Sequence, residues 1–142
     1  MLINQRLENE AATCAYAAQL AAQLEPGSVV ALSGDLGAGK SVFARALMRA
    51  LGVLDEAMPS PTFAIIQEYD GAKCKVAHMD WYRVESGEEL EMIGVREYMV
   101  PPWIAIIEWP ERAPALLPKA TTYRFQLAAA DDDPDARIIS HD

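Results

Sequence analysis

A chain of 142 residues with 51% hydrophobic and 23% charged side chains has the length and apolar content of one folded domain, which excludes a mainly disordered segment. Its 12 Lys and Arg against 21 Asp and Glu leave a net charge of −9, which excludes a nucleic-acid grip built on clustered cations. Two cysteines, Cys14 and Cys74, make neither a disulfide framework nor a zinc site and are read as reduced thiols.

Residues 10–24 read as a helix, rich in Ala, with Leu20 and Leu24 four apart and Pro26-Gly27 as its stop. The apolar part of this stretch is interrupted by Thr13, Tyr16, Gln19 and Gln23 and is too short to span a bilayer. Arg6, Glu8 and Glu10 precede it in place of the basic start of a signal peptide, so a cytoplasmic location without membrane contact is expected. Residues 28–33 form a short β-branched run, as in a strand buried on both faces. A glycine-rich turn follows, then helical spacing from Ser41 to Leu51 with Gly52 as the stop.

Pro59-Ser60-Pro61 marks an extended segment, and Thr62 to Tyr69 reads as a strand turning at Asp70-Gly71 into a partner from Cys74 to Asp80. Ser86-Gly87-Glu88-Glu89 matches a capping box and opens a helix to about Met99, ended by Pro101-Pro102. Trp103 to Ile107 is the most hydrophobic run in the chain and stops at Glu108. Tyr123 to Leu127 and Arg137 to Ser140 read as a last hairpin around the acidic loop 131–135. Neither an internal repeat nor an interdomain linker is visible, so residues 1–142 are read as a single domain.

Gly34-Asp35-Leu36-Gly37-Ala38-Gly39-Lys40-Ser41 has two glycines five apart followed by Lys and Ser, the phosphate-loop pattern. Glycines let the backbone take positive φ and turn its N–H groups around phosphate oxygens, and the following helix adds the positive end of its dipole. Lys40 is expected to reach the β and γ phosphates, and the Ser41 hydroxyl to ligate Mg²⁺. A chance glycine turn would not need to fall between a buried strand and a helix, as this one does. Such a loop also needs an acidic group for the metal, and Asp80 and Glu108 each end a strand. A lone carboxylate there is usually only a solvated terminus; two of them point to the metal, and which one ligates stays open at this point. His78 shares a strand side with Asp80 and Tyr82 by the period-two rule and is expected to orient a neighbour or pack, since no third residue is spaced to make a metal site. Arg83 is expected in an ion pair, internal or with a partner, and Trp103 and Trp109 in packing.

The order of the glycine loop, Ser60-Pro61-Thr62-Phe63, His78-x-Asp80-x-Tyr82-Arg83 and Ile107-Glu108-Trp109-Pro110 resembles the TsaE (YjeE) family. Glu10-x-x-Thr13, Glu89 to Gly94 and Leu117-Pro118 agree, and the resemblance runs from about residue 10 to residue 118, with a weaker echo at Arg137. These family members are bacterial P-loop ATPases required for making threonylcarbamoyladenosine in transfer RNA. The resemblance implies a three-layer α/β P-loop NTPase fold with a mixed central sheet. It implies ATP and Mg²⁺ as cofactors, held by Leu36, Gly37, Ala38, Gly39, Lys40 and Ser41, with Glu108 in the metal site and Asp80 beside it or acting on the attacking water. Thr62 would sense the γ-phosphate as a switch residue, and Glu10 and Thr13 would lie near the adenine. It further implies ATP hydrolysis, weak alone, in a complex with TsaD and TsaB, with transfer RNA met only through them and no direct DNA contact. Ser41 stands where the family more often has Thr, and both offer the hydroxyl. The tail after Leu127 departs more freely, and Arg137 is not expected as a ligand. Two other readings compete: a small metabolite kinase, which would need an arginine-rich lid where Arg83, Arg96 and Arg112 are only scattered, and a non-hydrolysing nucleotide-dependent binding module.

Overall fold

The computed structural model describes residues 3–141. Its strands are β1 (Ile3–Leu7), β2 (Val29–Ser33), β3 (Ile66–Asp70), β4 (Lys75–Asp80), β5 (Trp103–Glu108), β6 (Thr122–Ala129) and β7 (Arg137–His141). Its α-helices are α1 (Glu10–Gln23), α2 (Lys40–Ala50) and α3 (Gly87–Ile93), and short 3-10 helices cover Val95–Met99, Pro110–Arg112 and Pro114–Leu116. All seven strands join one sheet in the order β1-β7-β6-β2-β5-β4-β3. The four central strands run parallel, while β3, β7 and β1 pair antiparallel at the edges, so the sheet is mixed.

β2 lies between β5 and β6, and residues 29–32 are at most 2% exposed, which is why that run carries no charge. Alternation sends Val30 and Leu32 to a core with Leu7, Ala17, Phe43, Leu47 and Met48 under α1 and α2. Val29 and Ala31 go to a second core with Met79, Trp81, Leu90, Val95 and Ile107 under α3 and the 3-10 segments. Two helical layers therefore sandwich the sheet. Phe43 is fully buried, with its ring centroid 6.0 Å from Tyr16 and 6.2 Å from Phe125. Burial of one such side chain stabilises by about 1.5–3 kcal/mol.

Three expectations change, and one strand is added. β1 went unread, because its first four residues are exposed and its pairing, Ile3↔His141 to Leu7↔Arg137, comes from the far end of the chain. The strand expected from Thr62 begins only at Ile66: residues 62–64 turn, Ile65 takes φ 69°, and its N–H donates to Pro61 O at 2.7 Å. The helix expected to Met99 stops at Gly94, whose φ of 87° lets the chain leave the helix and resume as a 3-10 turn. Ser86 does occupy the N-cap, but its hydroxyl makes no capping bond, and the Glu89 carboxylate accepts from Glu85 N at 2.9 Å. No helix of the described residues is long and apolar enough to cross a membrane.

Candidate functional site

β2 ends at Ser33, and α2 starts at Lys40, so the glycine loop spans the end of a central strand and the start of a helix. Gly34 holds φ 147°, and a Cβ there would lie 2.4 Å from Leu127 O on β6, so no other residue fits. Gly39 caps α2 at φ 99° in the left-handed region. Lys40 is 5% exposed; its Nζ donates to Gly34 O and to Asp35 O (3.0 Å) and stands 4.1 Å over the Trp109 ring. Burial pulls the Lys40 ammonium below the usual lysine range, while Glu108, Glu111, Asp80 and Asp35 pull it back.

Under α2 the register pairs Asp80 with Glu108 at the ends of neighbouring parallel strands. Both are buried, at 6% and 3% exposure. Glu108 Oε1 accepts from Ser41 Oγ at 3.0 Å, and Oε2 faces His78 Nε2 at 2.6 Å. Asp80 is engaged differently: Oδ1 accepts from Tyr82 N at 2.9 Å and Oδ2 from Thr62 Oγ1 at 3.2 Å, while Thr62 also meets Ser60 Oγ at 2.9 Å. The carboxylate that sequence reasoning could not choose for Ser41 is thus Glu108 by contact.

A cleft of about 480 Å³ opens on these groups, lined by Leu36, Gly37, Gly39, Lys40, Ser41, Val42, Ser60, Thr62, Asp80, Glu108, Trp109 and Arg137. A second groove of about 390 Å³ shares Gly39, Val42 and Arg137 with it and reaches Asn9, Glu10 and Thr13 on α1. Ala38 is buried below the loop and faces the core rather than these openings. Thr13 is itself buried and bonds Asn9 O at 3.3 Å, whereas Glu10 is exposed.

Arg137, discounted from sequence, stands on the wall between the two grooves. Its Nη1 donates to Pro134 O at 2.7 Å and Ala136 O at 2.9 Å, and its buried Nε has no partner among the described residues. In the sequence it shows only as a lone cation at the start of a strand, with a weak echo of the family pattern. Among the described residues Arg83 makes no internal ion pair; it stacks over Phe63 at 4.5 Å, and Trp109 lines the cleft instead of only packing.

Hydroxyl and carboxylate oxygens are the donors a hard divalent cation takes, and two buried carboxylates without a Lys or Arg ion pair among the described residues suit one. No group of three His, Cys, Asp or Glu there could hold an ion unaided. Mg²⁺ held together with phosphates needs only one or two protein ligands.

A parallel-cored sheet whose central strand ends in this loop, with carboxylates closing the next two strands, defines a P-loop NTPase fold. The family model described as "Threonylcarbamoyl adenosine biosynthesis protein TsaE" matches residues 7–139. The chain belongs to the TsaE family. The tRNA threonylcarbamoyladenosine biosynthesis protein TsaE of Bacillus subtilis (strain 168) is 37% identical over 128 residues, 90% of this chain and 79% of the relative. The Haemophilus influenzae protein of the same name is 38% identical over 96 residues, 68% of this chain and 60% of the relative, so less than two thirds of that relative's length is matched. The solved "Crystal structure of Bacillus subtilus YdiB" superposes with a TM-score of 0.79 at 32% identity, over 99% of this chain and 84% of the other.

Proposed function

We propose that this chain is a Mg-ATP-binding ATPase subunit of the machinery that makes threonylcarbamoyladenosine in transfer RNA, acting in the cytoplasm with TsaB and TsaD. The observation that carries the reading is the contact of Ser41 Oγ with Glu108 Oε1 at 3.0 Å, directly beneath the glycine loop and beside Lys40. The loop's N–H groups and the N-terminus of α2 bind the phosphates, and Lys40 leaves the carbonyls of Gly34 and Asp35 to meet them. Ser41 and Glu108 hold Mg²⁺, which when bound supplies charge against the phosphate oxygens. Asp80, tied to Thr62, orients the attacking water, and Thr62 reports the γ-phosphate through loop 59–65. Leu36 and Gly37 line the phosphate end, Glu10 and Thr13 the adenine end, and Arg137 lies between them. With the net charge at −9, transfer RNA is gripped by the partners.

Phosphate release from ATP should be slow for the chain alone and rise when TsaB and TsaD are added. Release that depends on a small acceptor would mark a metabolite kinase. No turnover in the assembled complex would leave a binding module.

A further inference from the structure

His78 is fully buried on β4, on the sheet face it shares with Val76 and Asp80. Its partner in register is the apolar Ile106, and it reaches diagonally to Glu108, two residues further along β5. A buried imidazole in that place costs desolvation that a Leu would not, so packing alone does not account for it. An ionised carboxylate can only accept, so Nε2–H donates to Glu108 Oε2 across the 2.6 Å contact. The other imidazole nitrogen, Nδ1, has no partner among the described residues, which leaves Glu108 as the ring's one polar attachment.

The Glu108 carboxylate is therefore gripped from two sides, by Ser41 on Oε1 and by His78 on Oε2. Among the described residues, Ser41 and His78 are the only side-chain hydrogen-bond partners of this carboxylate, so the imidazole alone engages Oε2. We propose that His78 is a positioning residue: it locks the rotation of Glu108 so that Oε1 faces Ser41, the arrangement in which these two residues would hold the divalent cation. This rests on the reading of Ser41 and Glu108 as metal-holding. The expected size is that of other hydrogen-bond partners behind a metal ligand, about tenfold to a hundredfold in metal affinity.

The test titrates Mg²⁺ against binding of a non-hydrolysable ATP analogue, with EDTA as the metal-free reference. His78→Leu should need about tenfold more Mg²⁺, or worse, while its metal-free affinity stays within about twofold of wild type. His78→Gln, whose amide N–H can stand in for Nε2–H, should recover most of the loss. In a Glu108→Gln background, His78→Leu should add nothing. Should His78→Leu fail to fold, the imidazole ¹⁵N resonances of His78 in wild type and Glu108→Gln still decide: they should differ, and identical resonances overturn the proposal. If wild type shows Mg²⁺ dependence and both His78 variants keep it, losing only thermal stability, His78 merely packs and the proposal alone falls. If wild type binds the analogue equally with Mg²⁺ and with EDTA, the metal-holding reading of Ser41 and Glu108 has failed, and the proposal falls with it.

Discussion

The glycine loop and the C-terminal hairpin wall the same cleft but reach it by different routes. Residues 34–41 are contiguous, and their shape is local: positive-φ glycines between the end of β2 and the start of α2. Arg137 arrives through register, as the residue paired with Ala129 in the β6–β7 ladder and with Leu7 of β1. A Cβ on Gly39 would stand 3.2 Å from Arg137 Nε, so the two walls leave no room for a side chain between them. One wall is written in consecutive letters, and the other exists only once strands far apart in sequence have paired.

The largest expected effect breaks the first wall. Lys40→Ala should lower ATP turnover by about a hundredfold or more, the scale of losing one charged group aimed at the phosphates. The fold should persist, because the loop's shape comes from its glycines. Undiminished turnover in the folded variant would sink the phosphate-loop reading. The second wall should matter less. Arg137→Ala should weaken nucleotide binding about tenfold, the loss of one charge-assisted hydrogen bond, with calorimetric titration as the measure. Unchanged affinity would make the hairpin a purely structural wall. Arg137 gives the cleft a second cation beside Lys40, so stimulation by the proposed partners TsaB and TsaD is expected chiefly through loop 59–65 and not through a charge supplied in trans.

A control away from both walls should give the smallest effect. The Tyr98 hydroxyl donates to Glu68 Oε2 at 2.6 Å, and that bond holds its pKa up at about 12. A group whose pKa is raised by folding stabilises fully below its unfolded value near 10, and the contribution is lost as pH climbs through the folded value. Unfolding free energies from urea titrations of wild type and Tyr98→Phe should therefore differ by at most about 1 kcal/mol at pH 8, with the gap closing towards pH 12. A gap that widens with alkalinity would contradict the bond.

The same contrast sets how much was legible in the sequence. The buried strand, the glycine loop, the strand-end carboxylates and the order of motifs were readable because each is a short run with its own signature. β1 was not: Ile3–Leu7 is largely exposed, and only its antiparallel pairing with β7 makes it a strand. Thr62 and Phe63 look β-forming, yet the prolines before them and the bond from Thr62 to Asp80 hold that segment as a turn. Gly94 was readable as a stop but was overridden by the apolar spacing around it. Tertiary register decided Glu108 over Asp80 as the neighbour of Ser41, since both end strands and only the packing of α2 over β5 separates them.

Glu108→Gln, assayed in the assembled complex with TsaB and TsaD, tests the central claim most directly. Turnover of ATP should fall by about a hundredfold, far more than nucleotide affinity falls when both are measured at saturating Mg²⁺, as the proposed metal-holding role of the carboxylate requires. Turnover near wild type would contradict the account: Glu108 would then be only the end of an apolar strand, and the metal-holding role would pass to Asp80.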